Sequence, residues 1–301
     1  DSTTGIIDIA MITSLGREDN INELVRNYGM VIVDECHHAA AVTHENVLRA
    51  VTARYVYGMS ATINRGDKQD KKMFMQLGPI RHRYTAKERA QKQGIGHYIY
   101  PRFTRLVDLN QSEDKNPSDY YRLIMQSELR NMQIVSDTID CVKRGRTPVV
   151  MTKYKEHAQK LYDMLQGVAD HVFLLQGGKS LKERAAIREQ MAAVRADESL
   201  VLVAIGQYVG EGFNYPRLDT MLLAMPISFE GNVEQHAGRL NRDYEGKKDA
   251  IIFDYIDQHV PTLKRMYYKR LRAYKKIGYE VCSKVTDKQE VANSIFDSQN
   301  Y

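Results

Sequence analysis

Asp34 and Glu35 follow the apolar run Met30-Val-Ile-Val33, and adjacent carboxylates at the end of a strand have a definite chemical use. One can hold a hydrated divalent metal while the other takes a proton from an attacking water. The same pair could instead open a helix, where carboxylates meet the positive end of the dipole. A second constellation is Gln235, Arg239 and Arg242, at i, i+4 and i+7 in Gln-His-Ala-Gly-Arg-Leu-Asn-Arg. On a helix these three would share one face. Two forked guanidinium groups there could grip a polyphosphate and stabilise charge that develops in phosphoryl transfer. A solvated basic face is the plainer alternative.

Elements able to position such groups are legible along the chain. Short apolar, β-branched runs recur at Ile6–Met11, Met30–Val33, Tyr55–Met59, Pro148–Met151, His171–Leu175, Leu200–Ala204, Thr220–Ala224 and Ala250–Phe253. Longer helical patterns separate them, as at Lys179–Val194, where Leu181, Ala185, Ile187 and Met191 keep a helical spacing. Such alternation predicts an α/β fold with a largely parallel sheet covered on both faces. Several runs end in polar residues: Asp34-Glu35, Ser60-Ala61-Thr62, and a glycine-spaced loop after Ala204. In open parallel sheets that carboxyl edge is where ligands bind. The polar, turn-rich stretch from Asp108 to Pro117 reads as a boundary. It predicts a first domain over 1–112, truncated at its N-terminus, a second over 113–280, and a polar tail over 281–301.

The 301 residues are 43% hydrophobic and 27% charged, which excludes global disorder, collagen and a disulfide scaffold. No apolar run approaches the roughly 18 residues of a membrane span, and no export signal is visible. The three cysteines, Cys36, Cys141 and Cys282, are odd in number and widely spaced, arguing for free thiols and, by default, the cytoplasm. Cys36, His37 and His38 suggest a zinc site, but no second Cys/His cluster supplies further ligands. The net charge of +5 permits an anionic partner. Between Lys264 and Tyr279 lie Lys264, Arg265, Lys269, Arg270, Arg272, Lys275 and Lys276 with no acid, interleaved with four tyrosines. This segment could follow a phosphate backbone, or expose charge while Tyr and Leu pack inward.

Taken together, Val31-Ile-Val-Asp34-Glu35-Cys36-His37-His38, Ser60-Ala61-Thr62, the stretch from Val203 to Asn214 containing Gly210-Glu211-Gly212, and Gln235-His-Ala-Gly-Arg239-Leu-Asn-Arg242 resemble motifs II, III, V and VI of superfamily 2 helicases, in order and spacing. The resemblance covers about residues 6 to 279 and is nearest to DEAD/DEAH-box and type III restriction-subunit-like proteins. It implies two RecA-like lobes closing on ATP and magnesium, with nucleic acid running across both. By resemblance, Asp34 coordinates magnesium, Glu35 activates the attacking water, and Arg239 and Arg242 are arginine fingers. Gly210, Glu211, Gly212 and Asn214 approach the nucleotide, and Gln235 helps orient it. Ser60 and Thr62 couple the nucleotide to nucleic acid, and His38 makes an interlobe or motif III hydrogen bond. Lys269, Arg270 and Arg272 are the candidate nucleic-acid contacts.

The largest departure is that no Gly-x-x-x-x-Gly-Lys-Ser/Thr phosphate loop occurs in these residues. Gln176-Gly-Gly-Lys-Ser180 imitates its end, but Phe173 stands where the first glycine should be. The resemblance therefore implies a C-terminal fragment of an ATP-dependent helicase or translocase, with little ATP hydrolysis of its own and the N-terminal part of the same protein as its partner. DNA is favoured over RNA by the subfamily resemblance, although such motors hold mainly the backbone. A non-catalytic nucleic-acid-binding module and the motor subunit of a restriction or defence system are the other readings.

Overall fold

Valine-rich runs fold as strands where parallel neighbours and covering helices are available, and the chain satisfies that need in two separate places. The computed structural model describes residues 3–17, 20–38, 42–60, 70–84, 88, 92, 94–108, 116–178, 180–206, 213–227 and 230–282. It divides between Arg83 and Tyr84 into two units.

In the first unit a short helix α1 (Ile12–Leu15) leads into an antiparallel pair, β1 (Gly16–Arg17) and β2 (Asn20–Ile21). Two parallel strands follow, β3 (Met30–Val33) and β4 (Tyr55–Gly58), in the register Met30↔Tyr55 to Val33↔Gly58. Helices α2 (Val42–Ala50) and α3 (Asp70–Leu77) complete the unit. Cys36 and Met73 are buried together against Val33, Leu48, Phe74 and Leu77. The opposite sheet face is open: Met30, Ile32, Tyr55 and Tyr57 are all exposed. A strand reading Met-Val-Ile-Val is suited to burial on both faces, and here one is covered. The expected strand Ile6–Met11 does not form; Ile6, Ile7 and Ile9 stand exposed, without a partner strand among the described residues.

Among the described residues the second unit holds seven strands: β5 (Gly96–Phe103), β6 (Pro148–Thr152), β7 (His171–Leu175), β8 (Leu200–Ile205), β9 (Thr220–Leu223), β10 (Asp249–Ile256) and β11 (Glu280–Val281). Their order is β11-β5-β10-β9-β6-β8-β7 and every pairing is parallel. Between and after them run α4 (Pro117–Gln126), α5 (Glu128–Lys143), α6 (Lys155–Met164), α7 (Leu181–Ala193), α8 (Glu230–Leu240) and α9 (Pro261–Lys276). The two-residue period of the strands sorts their side chains onto two faces. Val149, Met151, Leu200, Leu202 and Ile252 pack with Met191 of α7, Ala237 of α8 and Tyr274 of α9. Val150, Val201, Val203, Ile251 and Phe253 pack with Ile134 of α5 and Leu161 of α6. The expected α/β class with a parallel sheet is what forms.

Two boundaries differ from expectation. Residues 96–103, assigned from sequence to the first domain, form β5 and pair along their whole length with β10, Gly96↔Asp249 to Phe103↔Ile256. Arg102 of β5 adds a bidentate ion pair to Asp137 of α5, with N–O distances of 3.0 and 2.7 Å. The division therefore falls well upstream of residue 112. Pro101 and the central tyrosines hide this strand from a search for aliphatic runs. At the other end Glu280 and Val281 pair with Tyr98 and Ile99, so the sheet continues past residue 280; residues 283–301 of the expected tail lie outside the described residues. The long helical pattern after Pro117 is two helices, broken at Ser127, whose hydroxyl accepts from the Arg130 N–H.

Local signals hold where they are self-contained. Ser180 caps α7 with Glu183: the Ser180 hydroxyl accepts from the Glu183 N–H, and the Glu183 carboxylate accepts from the Ser180 N–H at 2.6 Å. No helix among the described residues is long and apolar enough to cross a membrane.

Candidate nucleotide-hydrolysis site

In the first unit, chemistry gathers where β3 ends. Asp34 is exposed and its Oδ1 accepts the Glu35 N–H at 2.9 Å, which turns the chain sharply. Glu35 has φ +48°, the left-handed region that disfavours side chains bearing a Cβ. Strain at a carboxylate beside an exposed aspartate is the kind of backbone cost that accompanies function. The turn is held from the other strand: the Cys36 N–H donates to Met59 O at 2.9 Å, and the Met59 N–H donates to Val33 O at 2.8 Å. Cys36 packs so closely on β4 that a Cβ on Gly58 would stand 2.9 Å from its sulfur. Burial pushes the Cys36 thiol pKa up, so the group stays protonated as a packing element.

His37 joins these pieces. Its Nδ1 lies 3.1 Å from Glu35 Oε2 and 3.0 Å from the Ser60 hydroxyl. The expected interlobe or motif III hydrogen bond of His38 lies outside the described residues, while the contact to Ser60 is made by His37. The signal was present, because His37 is the histidine of an Asp-Glu-x-His spacing. The described residues hold no cluster of three or more His, Cys, Asp or Glu suited to a metal ion. Magnesium needs no such cluster, since it keeps several waters and takes one or two carboxylates along with substrate phosphates. The exposed Asp34 carboxylate fits that demand.

In the second unit the loop 213–216 meets the end of α8. Arg239 Nη1 donates to Phe213 O at 3.1 Å, and Arg242 Nη1 donates to Asn214 Oδ1. Arg242 lies two residues beyond the last helical residue, Leu240, so its approach comes from the turn rather than from a continuous helical face. His236 sits one helical turn before Leu240 against Gly206, where a Cβ would come within 3.2 Å of its ring. Burial, then the Arg239 charge, push its pKa down to about 4. The imidazole is therefore neutral near pH 7, and sequence reasoning did not single it out. Thr62, Gly210, Glu211 and Gly212, and the side chains of His38 and Gln235, lie outside the described residues.

The candidate nucleic-acid contacts separate. Lys269 and Arg272 are exposed on α9, whereas Arg270 is 1% exposed and turned into the sheet. Its Nε and Nη2 each lie 2.8 Å from the Asp254 carboxylate, and its Nη1 donates to Ile227 O. Tyr274 donates to the same carboxylate. Arg270 is thus a buried structural ion pair, because its place on the helix faces β10.

The family model described as type III restriction enzyme, res subunit, matches residues 1–65, the stretch carrying Asp34, Glu35, His37 and Ser60. The protein of Escherichia phage T5 named "Probable helicase D10" is 27% identical over 280 residues, covering 89% of this chain and 57% of its own length. The family match and the helicase-named relatives support a superfamily 2 helicase. The chain spans about half the length of the curated relatives it matches. Solved structures are similar to this chain at the level of fold. A fragment of an HsdR subunit of a type I restriction enzyme from Vibrio vulnificus is 18% identical, with a TM-score of 0.59 over 85% of this chain and 48% of that one. S. cerevisiae Dbp5, bound to RNA and ADP BeF3, is 12% identical, with a TM-score of 0.54 over 85% of this chain and 60% of that one. The mixed α/β fold with its seven-stranded parallel sheet corresponds to the RecA-like architecture of such neighbours.

Proposed function

We propose that the complete protein is an ATP-dependent translocase or helicase working on DNA, and that these residues supply most of its hydrolytic groups. The observation that carries this reading is the strained Glu35 beside exposed Asp34, with His37 placed between Glu35 and Ser60. Asp34 would hold magnesium, which would supply neutralisation of phosphate charge, and Glu35 accepts a proton from the attacking water. Arg239 and Arg242 stabilise the charge that develops on the transferred phosphoryl group. His37 and Ser60 relay the state of that site toward nucleic acid. Lys269 and Arg272, exposed on α9, contact backbone phosphates.

The phosphate loop is proposed to reside on a segment outside these 301 residues that covers the open apolar face of Met30, Ile32, Tyr55 and Tyr57. The four exposed side chains support this, since a parallel strand pair is stable with both faces covered. A motor subunit of a restriction system is the second reading, supported by the family match over residues 1–65.

The test compares ATP hydrolysis by the complete polypeptide, by this chain, and by the Glu35→Gln form of the complete polypeptide, each with DNA, with RNA and with neither. DNA-stimulated turnover confined to the complete, unmutated form is the expected result. Absence of turnover with either nucleic acid would move the protein to a non-catalytic nucleic-acid-binding module; stimulation by RNA alone would replace DNA as the track.

A further inference from the structure

We propose that Lys247 is a positioning residue that clasps the loop 213–216 to the end of α8 and so fixes Arg239 and Arg242 for catalysis. The inference rests on the catalytic reading of those two arginines. The Lys247 ammonium donates to three backbone carbonyls: Pro216 O at 2.5 Å, Leu240 O at 3.0 Å and Arg242 O at 3.0 Å. Three donors meet three acceptors, which uses the full capacity of an ammonium group. Leu240 O closes the C-terminal end of α8, where helical partners are lacking and the dipole is negative, and Arg242 O follows two residues beyond it. The third belongs to the loop whose Phe213 O and Asn214 Oδ1 accept from Arg239 and Arg242. One cation therefore ties together both segments that set the two guanidinium groups.

The Lys247 ammonium is spent on backbone carbonyls, so its effect on the two arginines is on their placement. A shift of about 1 Å in a catalytic group is enough to cost a large factor in rate. The charge state of the clasp matters because a neutral amine has two N–H donors for three carbonyls. Burial, the largest influence, pushes the Lys247 pKa down to about 8; Asp219 and Asp243 face it and favour the charge, while Arg146 opposes it. Asp219 is shared with Arg146 at 3.4 Å, and Arg146 also pairs with Asp249 at 2.7 Å. Part of the working pH range thus lies where the clasp loses a donor.

The experiment measures kcat and KM for nucleic-acid-stimulated ATP hydrolysis by the complete polypeptide from about pH 6.5 to 9.5. Wild type is compared with Lys247→Met, Lys247→Arg and Arg239→Ala, each with its thermal midpoint. Lys247→Met should lower kcat by about tenfold or more with KM changed by less than about twofold. Wild-type kcat should decline above about pH 8, and Lys247→Arg, whose charge is permanent, should keep most of kcat without that decline. Wild-type kcat in Lys247→Met overturns the proposal, as does the same alkaline decline in wild type and Lys247→Arg. Should Lys247→Met fail to fold, the pH comparison of the other two decides. Wild-type turnover in Arg239→Ala, or none in wild type, sinks the catalytic reading itself and this inference with it.

Discussion

His37 Nδ1 lies 3.0 Å from the Ser60 hydroxyl, joining the turn after β3 to the residues after β4 across 23 positions of sequence. If this contact transmits the state of Glu35, then His37→Ala and Ser60→Ala each lower nucleic-acid stimulation of ATP hydrolysis, and the double variant is no worse than the more severe single. Such a cycle should give a coupling of about 1 kcal/mol. Additive losses would show that the two side chains act separately.

Glu35→Gln keeps the shape of the side chain but removes its basicity. Turnover by the complete protein should fall by about 10²-fold to 10⁴-fold, with ATP binding retained. Arg239→Ala and Arg242→Ala should each slow hydrolysis by about 10³-fold or more, as loss of an arginine finger does. Single-turnover kinetics with a separate binding measurement check both; a loss of stability alone, with turnover preserved, would return the arginines to a structural role.

Arg270 and its neighbours on α9 should part company in the laboratory. Arg270→Ala leaves the Asp254 carboxylate buried without its ion pair and should destabilise the second unit by about 3–5 kcal/mol, read as a lowered denaturant midpoint. Lys269→Ala and Arg272→Ala should change stability by no more than about 0.5 kcal/mol. Their combined change should weaken DNA affinity and flatten its dependence on salt. Unaltered affinity and slope would place α9 outside the nucleic-acid path.

His157 gives the protein a defined acid limb. It is 1% exposed, with Nδ1 2.8 Å from the Thr152 hydroxyl and Nε2 3.0 Å from Asn131 Oδ1. Burial, then Arg130 and Lys160, push its pKa down to about 3 from 6.5. Between those values the unfolded chain binds the proton and the folded one does not, so stability falls as pH drops below about 6.5 and continues to fall toward about 3. Urea unfolding of wild type and His157→Gln across that window should differ in slope by up to about 1.4 kcal/mol per pH unit. Equal slopes would mean that His157 titrates normally.

The placement of the candidate groups at strand and helix ends was readable because its signals are local. Asp34 and Glu35 follow a valine-rich strand, Ser60 follows the next, and the Gln-x-x-x-Arg-x-x-Arg spacing marks α8 and its end; each statement needs only a few consecutive residues. His37 was readable as well, from the Asp-Glu-x-His spacing, but adjacent histidines differ by side-chain direction, which spacing does not convey. Lys247 left no sequence signal, since it works through carbonyls, which every residue carries.

The order of residues alone was enough for the α/β class and for the parallel character of the main sheet. These follow from hydrophobic period along the chain. Tertiary structure alone decided that β5 pairs with β10 across more than a hundred residues, that Arg270 turns inward to Asp254 while Lys269 and Arg272 face outward, and that Lys247 closes on three carbonyls. In each case the outcome depends on which distant partner satisfies a strand edge, a buried charge or a helix end, and that choice is made by packing rather than by the local spacing of residues.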